Sequence, residues 1–101
     1  GTVPGVVLHN FKAKEFDEVD VIEGETVIVV AQSNPEWVII KPIGRLGGPG
    51  LVPLSYIEIQ DRATRQAVPD SQEAIQRAGV PNVVEWKKMS ADYVKGTISL
   101  G

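Results

Sequence analysis

A chain of 101 residues has room for one domain, or for one small domain with an extension. Apolar residues make up 43% of it, which is ordinary for a globular chain, and no uninterrupted apolar run approaches the about 20 residues a membrane span needs. The absence of cysteine excludes disulfides and thiolate metal sites and suits a reducing compartment, and a single histidine speaks against a His-based metal centre. A net charge of −3 argues against a nucleic-acid partner, which would call for a basic face. The charge is unevenly spread: residues 1–60 hold eight acids and four bases, residues 61–101 five acids and six bases. The first part is the acidic one, so its expected ligands are basic. No secretory signal is visible, and the opening Gly1-Thr2-Val3-Pro4-Gly5 lacks methionine, as expected of a piece excised from a longer protein.

Val6-Val7-Leu8 reads as a short buried strand. Lys12 to Val21 is polar and acidic and too long for a tight hairpin, so a long loop is expected there. Glu23-Gly24-Glu25 is a turn in which Gly24 is free to take positive φ. Val27-Ile28-Val29-Val30 is a β-branched run and the clearest strand, and Gln32-Ser33-Asn34-Pro35 has turn chemistry. Trp37-Val38-Ile39-Ile40 is the next strand, with Val38 supplying its inward face. Pro42 to Gly50 carries four glycines and two prolines around Arg45 and Leu46, so it is an irregular loop, enlarged and apolar at its tip. Leu51-Val52 resumes the sheet, Pro53-Leu54-Ser55-Tyr56 suits one 3₁₀ turn, and Ile57-Glu58-Ile59 closes it. Short strands divided by Gly/Pro turns point to a small closed β architecture.

Beyond Gln60 the pattern changes. Asp61 to Pro69 reads as a polar connector. Asp70-Ser71-Gln72-Glu73 has helix N-cap chemistry, with Glu73 placed to reach back to the cap amide. Ala74, Ile75 and Ala78 give a short apolar stripe, and Gly79 stops it. Asn82 to Glu85 repeats the cap pattern, after which Val83, Trp86, Ser90, Tyr93 and Val94 share one helical face, and Gly96 ends that helix. Thr97-Ile98-Ser99-Leu100 is extended in character. About forty residues with two short helices bury too little surface to stand alone, so the extension is expected to pack on the β unit with Trp86 as its anchor.

No catalytic chemistry is legible. His9 has no Ser or Cys nucleophile motif and no spaced carboxylate pair beside it, and Gly44 to Gly50 lacks the Lys-Ser/Thr and the strand-to-helix context of a phosphate loop. The punctuation instead resembles an SH3 barrel. Val7-Leu8-His9-Asn10-Phe11 stands where such domains have Ala-Leu-Tyr-Asp-Tyr, followed by the acidic Glu15, Asp17 and Glu18, then Gly24-Glu25, Trp37, and Gly50-Leu51-Val52-Pro53-Leu54-Ser55-Tyr56-Ile57. The resemblance implies a mainly β fold: an SH3-like barrel over 5–60, with 61–101 as a C-terminal extension of two short helices packed on it. It also implies a groove for Pro-x-x-Pro peptides, whose polyproline II conformation is preformed. Matched residue by residue, the groove is His9, Phe11, Trp37 and Tyr56 with Pro53 as its floor. Glu18, seven residues after Phe11, is the acid that clamps a ligand Arg or Lys, with Glu15, Asp17 and Glu36 around it. His9 replaces a usual tyrosine, Leu51 a frequent aromatic and Ser55 a common asparagine, so the outer groove is less aromatic than in most members.

Two features narrow the resemblance: the stretch Lys41-Pro42-Ile43-Gly44-Arg45-Leu46-Gly47-Gly48-Pro49-Gly50-Leu51-Val52-Pro53, and the continuation through Val83-Val84-Glu85-Trp86-Lys87 to Gly101. Together they resemble the second SH3 domain, with its extension, of the fungal bud-emergence polarity scaffolds. That resemblance implies a non-catalytic adaptor, without cofactor or metal, in the cytoplasm and recruited to the cortex at sites of polarised growth. Its partners would be Pro-x-x-Pro segments of PAK-family kinases and other cortical proteins and, through the extension, the GTP-bound Rho-family polarity GTPase; membrane contact would come only through other domains of the full protein. Tyr93, Thr97, Ile98 and Leu100 are the candidate GTPase contacts. The alternative is an extension that only braces or occludes the barrel, as in oxidase-organiser-like adaptors.

Overall fold

In the computed structural model, which describes residues 1–89, the chain is a curled five-stranded antiparallel sheet. The strands are β1 (Val3–Val7), β2 (Thr26–Asn34), β3 (Trp37–Pro42), β4 (Gly50–Pro53) and β5 (Ile57–Ile59), in the spatial order β4-β3-β2-β1-β5. Alternation along the strands explains why they form. In β2, Val27, Val29 and Ala31 are buried while Thr26, Ile28 and Val30 are half-buried. In β3, Val38, Ile40 and Pro42 point inward, which leaves Trp37 on the opposite face, half-exposed. The core is almost wholly aliphatic: Val7, Val21, Val27, Val29, Val38, Ile40, Val52, Ile57 and Ile59 are packed together inside the curl.

Several boundaries differ from the expected ones. The first strand runs Val3–Val7 rather than through Leu8, because β1 pairs with β2 from Val3 to Val6 and with β5 from Gly5 to Val7, and Leu8 turns outward. The segment Gln32 to Asn34 is not a turn. It continues β2 opposite Val38 and Trp37, with register shifts between Val29 and Ala31 and between Gln32 and Asn34, and the turn is compressed to Pro35-Glu36. Asn34 makes that compression possible, its side-chain oxygen accepting the N–H groups of Glu36 (2.8 Å) and Trp37 (3.0 Å). The long loop between β3 and β4, the 3₁₀ turn Leu54–Tyr56 and the positive φ of Gly24 are as read from the residues.

An open curl leaves two edges, β4 and β5, and unpaired edges invite pairing with other chains. The acidic loop closes the first. It is a bent arm whose base is tied by reciprocal Phe11–Val21 backbone bonds (3.0 and 2.9 Å) and whose returning limb pairs with β4 through Leu51 N–H to Asp17 O (2.9 Å) and Val19 N–H to Leu51 O (3.2 Å). Gly50 permits that approach: a Cβ there would lie 2.8 Å from the Val19 Cβ and 3.1 Å from its backbone N. The stretch expected as a plain connector closes the second edge. Asp61 to Gln66 forms a tight turn, and Val68 N–H bonds Ile59 O (3.0 Å) beside the Gln60–Ala67 bridge. The Asp61 carboxylate accepts the N–H groups of Thr64 and Ala63, which holds it below the usual carboxylate range.

That return sets helix α1 (Ser71–Arg77) against β5. Asp70 caps it, accepting the Glu73 N–H at 3.1 Å, and Gly79 ends it at φ +73°. Glu73 does not reach back to the cap; it pairs forward with Arg77. Ile75 is driven fully into the aliphatic core, with Ala74, Ala78 and Val80 packed beside it. Ile75, not Trp86, is thus the anchor. Residues 83–89 form a second helix, α2, capped by Asn82 through the Glu85 N–H (2.8 Å), on which Val83 and Trp86 are only half-buried. The extension is tied to β2 by Gln32 N–H to Pro81 O (2.9 Å), just ahead of α2, and by the Gln32–Gln72 side-chain bond (2.8 Å) from α1. The expected continuation of α2 through Ser90, Tyr93 and Val94, its stop at Gly96 and the tail with Thr97, Ile98 and Leu100 lie outside the described residues.

Ile75→Ala is expected to lower the unfolding free energy by about 3 kcal/mol, the usual cost of a cavity at a fully buried aliphatic site. Urea denaturation measures it. A loss below about 0.5 kcal/mol would show an extension lying on the barrel without completing its core.

Candidate functional site

Four of the expected groove residues form one row of rings. Edge-to-face contacts link His9 to Tyr56 (centroids 5.4 Å apart), Tyr56 to Phe11 (5.9 Å) and Phe11 to Trp37 (6.0 Å). Each ring is placed by a different element. His9 follows β1, where Leu8 N–H bonds Tyr56 O at 2.7 Å; Phe11 stands at the arm's base; Trp37 opens β3; Tyr56 ends the 3₁₀ turn. Pro53 pairs directly with Trp37 across β3 and β4. Phe11, Trp37, Pro53 and Tyr56 are half-buried and His9 is exposed, so the row presents faces to solvent rather than filling the core.

The acids divide into two groups. Glu15, Asp17 and Glu18 lie on the arm. Glu15 and Asp17 are exposed, while Glu18 is half-buried and turned back into its own turn, its Oε1 accepting the N–H groups of Lys14 (2.7 Å) and Glu15 (3.2 Å). The expected clamp therefore also shapes the arm it stands on. Glu36 is separate. It occupies the β2–β3 turn, its carbonyl accepting the Leu54 N–H at 2.8 Å, and it lines a groove of about 670 Å³ with Trp37, Pro53, Ser55 and Ser71 that none of the arm acids lines. Ser71 was not legible as a groove residue, because it is the first residue of α1 and reaches this place only through the return of 61–69 along β5. A second hollow, about 470 Å³, lies between β1, the end of β5 and α1, lined by Val3, Asp61, Val68, Ala74 and Arg77 with no ring of the aromatic row.

One further charged pair joins the β3–β4 loop to the arm's return. Arg45 forms an ion pair with Glu25, and the guanidinium holds the Glu25 carboxyl below its ordinary value of 4.5, burial opposing and the Ile22 N–H assisting. Among the described residues no group of His, Asp and Glu could hold a metal ion, and no helix is long and apolar enough to cross a membrane.

Residues 7–58 match the family model of the variant SH3 domain. The chain belongs to the SH3 domain family. It is 47% identical over 98 residues to Protein scd2/ral3 of Schizosaccharomyces pombe, a match covering 96% of this chain and 18% of that protein. The Bem1p SH3-CI domain from L. elongisporus, solved in complex with a Ste20p peptide, is 39% identical with a TM-score of 0.82, over 92% of this chain and 84% of that one. A shorter likeness, 35% over 57 residues, reaches the actin cytoskeleton-regulatory complex protein SLA1 of Mycosarcoma maydis, covering 56% of this chain and 5% of that protein. This SH3 domain is of the Scd2/Bem1 type, as the glycine-rich loop and the extension had implied, and it corresponds to a small part of the length of its curated relatives. None of these likenesses indicates an enzyme family.

The pH dependence of stability follows from Glu25. Its carboxyl is lowered in the folded state, so its contribution is full above the ordinary value and is lost as pH falls through the lowered one. The stability gap between the wild-type chain and Glu25→Gln is expected to be open at about pH 6 and to narrow below about pH 4. Urea midpoints across that range check it, and a gap independent of pH would contradict the assignment.

Proposed function

We propose that this SH3 domain is a non-catalytic adaptor module that binds Pro-x-x-Pro segments across Phe11, Trp37, Pro53 and Tyr56, with His9 as the outer wall. The observation that carries the reading is the continuous ring row with its proline floor. It places flat apolar faces side by side over a proline floor, a surface suited to the proline rings of a preformed polyproline II segment, and the Trp37 indole N–H can donate to a ligand carbonyl. Glu15, Asp17 and Glu18 give the arm side a preference for a basic flanking residue, and Glu36 does so on the far side of Trp37. The Bem1p relative solved with a Ste20p peptide supports the ligand class, and the resemblance to polarity scaffolds extends it to PAK-family kinases and cortical proteins, with recruitment of the full protein to the cell cortex. Trp37→Ala is expected to weaken a Pro-x-x-Pro peptide about thirtyfold, near 2 kcal/mol, while the fold survives. Titration by tryptophan-independent calorimetry reads it, and undiminished affinity in a folded variant would overturn the site.

The division into a peptide-binding barrel at 5–60 and an extension at 61–101 that binds the GTP-loaded Rho-family GTPase is the finer part of this proposal. Holding kinase and activator on one module would make their encounter nearly intramolecular. A brace-only extension is favoured by a specific observation, the burial of Ile75 among barrel residues. The two are separated by titrating GTP- and GDP-loaded GTPase into the 101-residue chain with and without saturating peptide. Binding of the GTP form that persists with peptide is the expected result. No preference for nucleotide state would leave the extension as a brace.

A further inference from the structure

The outer half of the acidic arm has little apolar packing to hold it. Phe16 at its tip is fully exposed, and between the Phe11–Val21 bridge and that tip the arm side chain packed on the core is Val19. Beside its backbone pairing with Leu51, what holds the arm is a set of polar bonds, and its return is met by one residue from a different part of the chain. Arg45 stands in the glycine-rich β3–β4 loop, whose own tip residue Leu46 is almost fully exposed. Its side chain turns back from that loop to the arm's return. Nη2 donates to the Asp20 carbonyl at 2.6 Å, Nε pairs with Glu25 Oε1, and Nη2 lies 3.4 Å from Glu25 Oε2, which also accepts the Ile22 N–H at 3.0 Å. The chain of bonds continues outward. The Asp20 carboxylate accepts the Ala13 N–H at 2.7 Å, and Glu18 accepts those of Lys14 and Glu15. The same loop delivers Gly50 and Leu51, onto which Val19 and Asp17 dock.

We propose that Arg45 is a positioning residue, and that the enlarged β3–β4 loop is a strut that latches the acidic arm from behind rather than a contact surface of its own. A guanidinium suits the task because its rigid planar fork aims separate N–H groups at a carboxylate and a backbone carbonyl in one fixed geometry, whereas an ammonium is a compact point charge whose three donors rotate freely. Pairing Glu25 with Arg45 neutralises one acid at the arm's root, and the exposed acids of the arm are Glu15, Asp17 and Asp20, with Glu18 half-buried. The inference deepens the peptide-binding reading and rests on it for its effect on ligands, but the latch itself is a statement about the free protein.

The sign of the effect separates positioning from simple charge. If Arg45 acted only as a positive charge near an acidic surface, its removal would deepen the negative potential and tighten a cationic peptide. If it positions the arm, its removal loosens the acids and weakens that peptide. The experiment compares wild type, Arg45→Gln and Arg45→Lys in the 101-residue chain by amide hydrogen exchange and by titration with two Pro-x-x-Pro peptides, one with Arg and one with Ala beside the core. In Arg45→Gln the amides of Ala13, Lys14 and Glu15 are expected to exchange about tenfold faster while those of Val27, Val29 and Ile40 are unchanged. The Arg-flanked peptide is expected to bind about fivefold more weakly, the Ala-flanked one within about twofold, and Arg45→Lys to fall between. Unchanged arm exchange, faster exchange spread evenly over the sheet, or tighter binding of the Arg-flanked peptide overturns the latch. A wild-type chain that does not distinguish the two peptides would instead remove the peptide reading, and the exchange result would still decide the latch.

Discussion

A five-stranded curl with β4 at one edge and β5 at the other has to satisfy two rows of backbone donors and acceptors, and both closures use chain that the sheet itself does not need. The acidic arm lies on β4 through Asp17, Val19 and Leu51, and the stretch 61–68 lies on β5 through Val68 and Ile59. Each closure also carries part of the candidate site into place. The first brings Phe11 and the acids to the aromatic row, and the second swings α1 round so that Ile75 enters the core and Ser71 reaches the groove beside Trp37. The demand to close two edges is what joins the fold to the site.

The energetics follow the same division. The centre of the molecule is held by aliphatic burial, with nine valine and isoleucine side chains among the described residues almost wholly removed from water, each contributing on the order of 1.5–3 kcal/mol before entropy is counted. The periphery is held by hydrogen bonds to backbone N–H groups from Asp20, Glu18, Asn34 and Asp61, each with a modest net contribution. The proposed recognition surface lies on this periphery, where a loop or cap sets the geometry without disturbing the core.

Much of this was legible in the residues, and the misses have identifiable causes. The β-branched run at Val27, the Gly24 and Gly79 turns and the Asp70 and Asn82 caps each rest on local chemistry, and local chemistry was preserved. The ring row was legible only through likeness to SH3 domains, since nothing in the spacing of His9, Phe11, Trp37 and Tyr56 brings them together without the fold. Long-range geometry was the blind spot. Gln32 and Ser33 look like turn residues but continue β2 because Pro81 and Val38 supply partners to that stretch. Trp86 looked like the anchor on size, yet the short return after β5 presents Ile75 to the core first. Glu18 matched the expected clamp by its spacing from Phe11, and nothing in that spacing revealed that its carboxylate holds the arm's turn.

The central claim is that the ring row and the groove beside Trp37 form one peptide site with which the extension makes contact at Ser71. A chemical-shift map of the labelled 101-residue chain titrated with a Pro-x-x-Pro peptide tests it most directly. The account predicts the largest changes at the Trp37 indole N–H, Phe11, Leu54 and Tyr56, with Ser71 also shifted. Changes confined to the opposite hollow at Val3, Asp61 and Arg77, with the Trp37 indole unmoved, would contradict it.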